Sequence, residues 1–309
     1  GQIIALVNYM TQIILAMVVL ANLVLTFTRA SASAARVNEV FDTESSIIDA
    51  EAEAVPEKKP SAPAIVLRNV SFRYKGSSEY AIEDINVTIP SGATAGIIGG
   101  TGSGKSTLVS LLPRFYDANE GKIEIFGNDI KSYPLSSLRD MVRTVEQTAG
   151  LLSGTVAENI KLGKPDASDS EIWQALAYAQ ADDFIKAKSS ALNIAVEEGG
   201  KNFSGGQRQR LSIARALIGD PEILILDDSL SALDAATDLA LRRTLLKVRK
   251  NRTTIIIAQR VASIMDLPLI YVMDDGKIIA AGDHLSLLND CPLYAEICSS
   301  QNIGGEVTA

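Results

Sequence analysis

The segment Gly99-Gly100-Thr101-Gly102-Ser103-Gly104-Lys105-Ser106 constrains this chain more than any other. It follows the apolar run Ala95–Ile98, which reads as a strand, and precedes a helix expected from Lys105 through Phe115. Strand, glycine-rich loop and helix in that order make a phosphate-binding loop. The glycines let backbone N–H groups converge on phosphate oxygens, and the helix start adds its positive end. In this pattern Lys105 reaches the β- and γ-phosphates and Ser106 ligates Mg2+. Gly99, Thr101, Gly102, Ser103, Gly104 and Thr107 complete the expected loop contacts.

The rest of the chain supplies a sheet for that loop. Ile65–Tyr74, Ile82–Ile89, Val142–Val145, Ile223–Asp227, Thr254–Ala258 and Leu269–Met273 read as further strands. Several are solid apolar runs of the kind buried on both faces of a parallel sheet. Residues 155–218 read as mostly helical, so a helical lobe is inserted between strands. Asp227 ends one buried run and is the expected Mg2+ partner, acting through a coordinated water.

The N-terminus is different in kind. Ile3 through Phe27 is about 25 residues without a charge, long enough to cross a bilayer. It has neither the cationic leader nor the small-residue cleavage site of a secretory signal. Arg29 and Arg36 follow it, which points that flank to the cytoplasm. Asn8, Gln12 and Asn22 interrupt the run, and polar groups in lipid turn toward a bundle interior. The chain therefore reads as the C-terminal piece of a longer membrane protein. Residues 1–30 form its last transmembrane helix, 31–63 a cytoplasmic helical extension and linker, and 64–309 the nucleotide-binding domain. Val37, Val40, Phe41 and Ile47 are expected to share one helical stripe before a linker rich in Pro, Ala and charge at 49–63.

Bulk properties narrow the function. With 309 residues and 47% hydrophobic content there is material for one large α/β core. The net charge of −8 and the lack of any basic cluster disfavour nucleic acid as a partner. Cys291 and Cys298 read as two reduced thiols in one helix, too far apart for a disulfide. The single histidine, His284, reads as a surface residue near the C-terminal helix.

Phe203-Ser204-Gly205-Gly206-Gln207 followed by Arg208-Gln209-Arg210 resembles the signature motif of the ABC (ATP-binding cassette) transporters, with Phe where Leu is usual. The resemblance covers about residues 65–298 and implies an ABC-type P-loop NTPase: a parallel core, an antiparallel β subdomain and an inserted helical lobe, preceded here by one transmembrane helix. It implies ATP and Mg2+ as ligands. It also implies that Ser204, Gly205, Gly206 and Gln207, with the D-loop Ser231-Ala232-Leu233-Asp234, act on ATP held by a second subunit. Gln147 matches the Q-loop glutamine, a Mg2+ contact, and Tyr74 the residue that stacks on adenine. Leu152-Ser153-Gly154-Thr155 and Glu158-Asn159-Ile160 resemble exporter-type members.

Two positions depart from the pattern. Asp228 stands where the family has a catalytic Glu, and Gln259 where it has a switch His. Asp is one methylene shorter, about 1.5 Å, and a misplacement of about 1 Å can cost on the order of 10²-fold. Gln259 can donate to phosphate but cannot carry charge. Val196-Glu197-Glu198-Gly199-Gly200 is also atypical, in a stretch that touches the coupling surface in the family. The expected function is an ATP-binding exporter subunit in a multi-pass cell-membrane protein, moving amphipathic drugs or lipids. Its own site, with Asp228, Gln259 and Gln147 as catalytic residues, binds ATP and hydrolyses it slowly. Its signature completes the site of a second, consensus half-transporter. The alternatives are a slow homodimeric lipid or peptide exporter and a non-catalytic ATP sensor. A soluble ATPase acting on DNA or ribosomes is disfavoured by the membrane run and the acidic balance.

Overall fold

The computed structural model describes residues 1–43, 45, 47–49 and 54–302, which fall into two units, Gly1–Ile48 and Asp49–Ala309. The first unit contains one unbroken helix, Gln2–Phe41, with no buried residue. Its best window has a mean hydropathy of 2.2, so it is long and apolar enough to cross a membrane. At 1.5 Å per residue it extends about 60 Å. Thr11, Thr26 and Thr28 return their hydroxyls to carbonyls four residues earlier, which satisfies them within the helix. Val37, Val40 and Phe41 lie in this helix, whereas Ile47 lies beyond its end, so the expected four-residue stripe is cut to three.

The second unit holds two large sheets and a small one that pairs Gly154–Thr155 with Ala195–Val196. The larger runs Lys277–Gly282, Leu269–Asp274, Thr94–Ile98, Thr253–Ile257, Ile223–Asp227, Val142–Val145; all pairs are parallel except the first. The other large sheet is antiparallel, in the order Ile82–Ile89, Ile65–Phe72, Glu120–Ile125, Asn128–Asp129. The strand expected to reach Tyr74 stops at Phe72, where Arg73 N–H turns to Asn119 Oδ1 instead of a ladder partner.

Alternation explains the solid apolar strands. Ile223, Ile225, Ile255 and Ile257 pack with the antiparallel sheet and the helix after the phosphate loop. Leu224, Leu226 and Ile256 face the opposite way, into the helical lobe with Ile172, Leu176 and Ile213. Successive side chains point to opposite faces, so a sheet covered on both sides needs apolar residues at every position. Three of the lobe's helices begin with reciprocal caps: Thr155 with Glu158, Ser168 with Glu171, Ser204 with Gln207.

Two further expectations change. The helix after the phosphate loop spans only Lys105–Ser110. Leu111, Leu112 and Arg114 donate to carbonyls three residues back, and Pro113 disfavours helical backbone at Leu112. Cys291 and Cys298 do not share a helix, because Pro292 opens a new one, Pro292–Ser300; both thiols are buried and free.

Ile225 has no exposed surface. Ile225→Ala is expected to lower stability by about 2–5 kcal/mol. Leu285→Ala, at a residue 70% exposed, is expected to shift it by no more than about 0.5 kcal/mol. Denaturant titration of the two variants compares them.

Candidate active site

Three parallel strands end together. Ile257 is paired with Asp227 on one side and with Ile97 on the other. The chain leaving each strand therefore delivers the phosphate loop, Asp227-Asp228 and Gln259 to one edge of the sheet.

The phosphate loop is shaped by what its glycines allow. A Cβ on Gly99 would lie 2.0 Å from the Met273 carbonyl oxygen. Gly104 has φ +94, and a Cβ there would lie 2.7 Å from the Ala81 carbonyl oxygen. No L side chain fits either place. Lys105 is buried, and its Nζ donates to Gly99 O at 2.9 Å, Gly100 O at 2.6 Å and Ser103 Oγ at 3.2 Å. The loop is thus folded round an ammonium with no carboxylate in its hydrogen-bond shell. Burial pushes the Lys105 ammonium below its ordinary range, opposed by the charges of Asp227 and Asp228.

Tyr74 stands at the mouth, 41% exposed, with its hydroxyl 3.0 Å from Thr107 Oγ1. It meets Phe72 and Tyr116 edge-on at 5.0 and 5.4 Å. Tyr74 lines two cavities. One, of about 370 Å³, is walled by Gly102, Gly104, Lys105, Ser106, Thr107 and Tyr80. The other, of about 540 Å³, includes Ser106, Gln147 and Asp227.

That second cavity contains the three residues assigned to Mg2+. They offer a hydroxyl, a carboxamide oxygen and a carboxylate, all hard oxygen donors suited to this cation. Burial, with the Asp228 charge, pushes the Asp227 carboxyl above its usual range, opposed by the nearby Ser106 hydroxyl and the Lys105 charge. A buried carboxylate destabilised in this way gains from a cation. No cluster of three His, Cys, Asp or Glu suited to a metal occurs among the described residues. When bound, Mg2+ would neutralise charge on the phosphates.

Asp228 is 8% exposed, with φ 46, a left-handed conformation that Asp tolerates better than most residues. Its Oδ2 accepts from Gln147 Nε2 at 2.8 Å and from Gln259 Nε2 at 2.9 Å. Burial pushes this carboxyl up, while the Gln259 backbone N–H, Lys105, Arg260 and the Gln147 amide pull it down. Gln147 is itself positioned from the lobe: Gln209, 2% exposed, donates to Glu146 O at 2.9 Å. So the three residues assigned to catalysis meet on one oxygen.

The signature residues are elsewhere. Ser204 caps the helix Gly205–Leu217, and neither phosphate-loop cavity is lined by Ser204, Gly205, Gly206, Gln207 or Asp234. Asp234 caps Ala235–Val248 through Thr237. A Cβ on Gly206 would lie 3.1 Å from Ala232 O, so signature and D-loop are neighbours within the chain. Gly205 opens onto free space. His284, expected at the surface, is half-buried, with its Nδ1 2.8 Å from the hydroxyl of the buried Tyr294. Tyr80 and Asp275, which also wall the smaller cavity, carry no sequence signal of their own.

Residues 82–231 match the family model described as "ABC transporter". An uncharacterized ABC transporter ATP-binding protein of Mycobacterium tuberculosis is 38% identical over 99% of this chain and 53% of its own length. A probable multidrug resistance ABC transporter ATP-binding/permease protein of Bacillus subtilis is 40% identical over 98% and 51%. The ATP-dependent lipid A-core flippase of Escherichia coli K12 is 41% identical over 82% and 44%. The chain thus spans about half the length of the curated relatives it matches. A solved bacterial Atm1-family ABC exporter with ATP bound superposes with TM-score 0.82 at 34% identity, over 91% of this chain and 48% of that one.

Tyr74→Ala is expected to weaken ATP binding about tenfold, given about 1–3 kcal/mol for a base stacked on an aromatic. Tyr74→Phe, which loses only the Thr107 contact, is expected to stay within about threefold. Equilibrium binding of ATP to the two variants checks this.

Proposed function

We propose that the chain carries an ATP-binding domain of the ABC transporter family and belongs to one half of a membrane exporter, binding ATP and hydrolysing it slowly at its own site. The meeting of Gln147 and Gln259 on one oxygen of Asp228 supports this reading most. Hydrolysis needs a carboxylate that can reach and polarise the attacking water. Here the carboxylate is short, it is recessed to 8% exposure, and two amides compete for one of its oxygens. Gln259 offers a neutral donor where developing phosphate charge is better met by a cation. The binding machinery, by contrast, is intact: Tyr74, the loop glycines, Lys105, Ser106 and Asp227.

The signature residues Ser204–Gln207 and the D-loop serve a second subunit, one with the consensus Glu and His. Most hydrolysis occurs in that subunit's site. Helix Gln2–Phe41 is one span of a multi-pass membrane domain. The cargo is amphipathic; the Bacillus relative's name favours drugs and the flippase's name favours lipid.

Two expected outcomes follow. The protein alone turns ATP over slowly, and co-purified with its partner half-transporter it is active, with that activity lost in Ser204→Ala. Asp228→Glu combined with Gln259→His raises turnover at this chain's own site. Brisk turnover by the protein alone that depends on Asp228 would instead make it a homodimeric exporter. Steady-state phosphate release measures both.

A further inference from the structure

The last helix among the described residues ends beside the active site. Pro292–Ser300 is anchored by Tyr294 and Cys298, with 0% and 1% exposure, and Tyr294 is bonded to His284. Gln301 is its C-cap and is itself partly buried. The Gln301 carboxamide spans the segment that follows strand Thr253–Ile257. Its Nε2 donates to Gln259 O at 2.7 Å, and its Oε1 accepts from Val261 N at 2.8 Å.

The two bonds fix the backbone on either side of Arg260. Gln259 is then the residue whose side chain reaches Asp228 Oδ2 at 2.9 Å. Arg260, between the two fixed points, donates to Ser231 O at 3.1 Å, and Ser231 Oγ donates to Asp228 O at 2.7 Å. A short two-point clamp of this kind sets the direction of the intervening side chains, because the backbone has only two soft dihedrals per residue. We propose that Gln301 is a positioning residue: by bridging Gln259 and Val261 it aims the Gln259 amide into the phosphate edge, and so sets how strongly the site distinguishes ATP from ADP. The amide is suited to the task. It holds a donor and an acceptor on one carbon, and its partners are one backbone carbonyl and one N–H with no strand to satisfy them. The chain's last helix is thereby an arm of the active site, reached across 42 residues of sequence.

The inference rests on the proposed role of Gln259 as a phosphate contact, and the test separates the two. Hydrogen–deuterium exchange of the segment containing Val261 is measured in the intact protein, together with MgATP and MgADP affinities, for Gln301→Ala, Gln301→Glu and Gln259→Ala. Each lost hydrogen bond corresponds to about fivefold. Gln301→Ala is expected to speed exchange at Val261 about fivefold while strand Thr253–Ile257 stays protected, and to lower the ATP-to-ADP affinity ratio about fivefold. Gln259→Ala is expected to lower the ratio equally, and the double variant no further. Gln301→Glu keeps an acceptor for Val261 but loses the donor to Gln259, so Val261 stays protected while the ratio falls. Unchanged exchange at Val261 in Gln301→Ala overturns the proposal. So does faster exchange with the ratio intact, provided Gln259→Ala moves the ratio. If Gln259→Ala leaves the ratio unmoved, the phosphate role of Gln259 fails and the proposed discrimination fails with it. The exchange result then judges the clamp alone.

Discussion

The shared end of three parallel strands is the constraint on which the site depends. Because Asp227, Ile257 and Ile97 are register partners, the residues just past them cannot drift apart. A slip of one residue in any strand would turn its side chains to the other face. Such a slip would move Leu224 and Leu226 out of the lobe and Ile223 and Ile225 out of the opposite core. The apolar strands are therefore what aligns the chemistry, even though none of their side chains except Asp227 takes part in it.

Polar groups tie that edge to the rest of the unit. Lys105 closes the phosphate loop on its own carbonyls. Gln209 reaches from the signature helix to Glu146, beside Gln147, which connects the helical lobe to the Asp228 carboxylate. Gln301 connects the last helix to the segment after Ile257. Buried polar groups that lose a partner cost about 1–3 kcal/mol each. Three elements distant in sequence are thus held to one carboxylate by carboxamides. Glutamine suits these joints because it both donates and accepts without adding charge to a crowded acidic edge.

Much of this was legible in the residues. The phosphate loop, Asp227, the solid apolar strands and the inserted lobe follow from patterns that act locally: glycine freedom, period and capping. The helix end at Ser110 is not legible locally, because the amphipathic pattern continues to Phe115 while the backbone obeys Pro113. Strand Glu120–Ile125 mixes charged and apolar residues, and the edge strand Lys277–Gly282 ends in two alanines and a glycine, so both read weakly. The meeting of Gln147 and Gln259 on Asp228, across 81 and 31 residues, has no local signal. Nor does the reach of Gln301. Long-range hydrogen bonds between polar side chains and backbone are set by the fold, and only coordinates reveal them.

The central proposal is that this chain holds ATP and cuts it slowly while a partner subunit does most of the cutting. The direct measurement is to let the assembled transporter turn over a photoreactive ATP labelled on the α-phosphate, crosslink it mid-cycle, separate the two subunits and identify the nucleotide on each. Intact triphosphate on this chain and diphosphate on the partner is the expected result. Diphosphate on this chain in equal measure would contradict it.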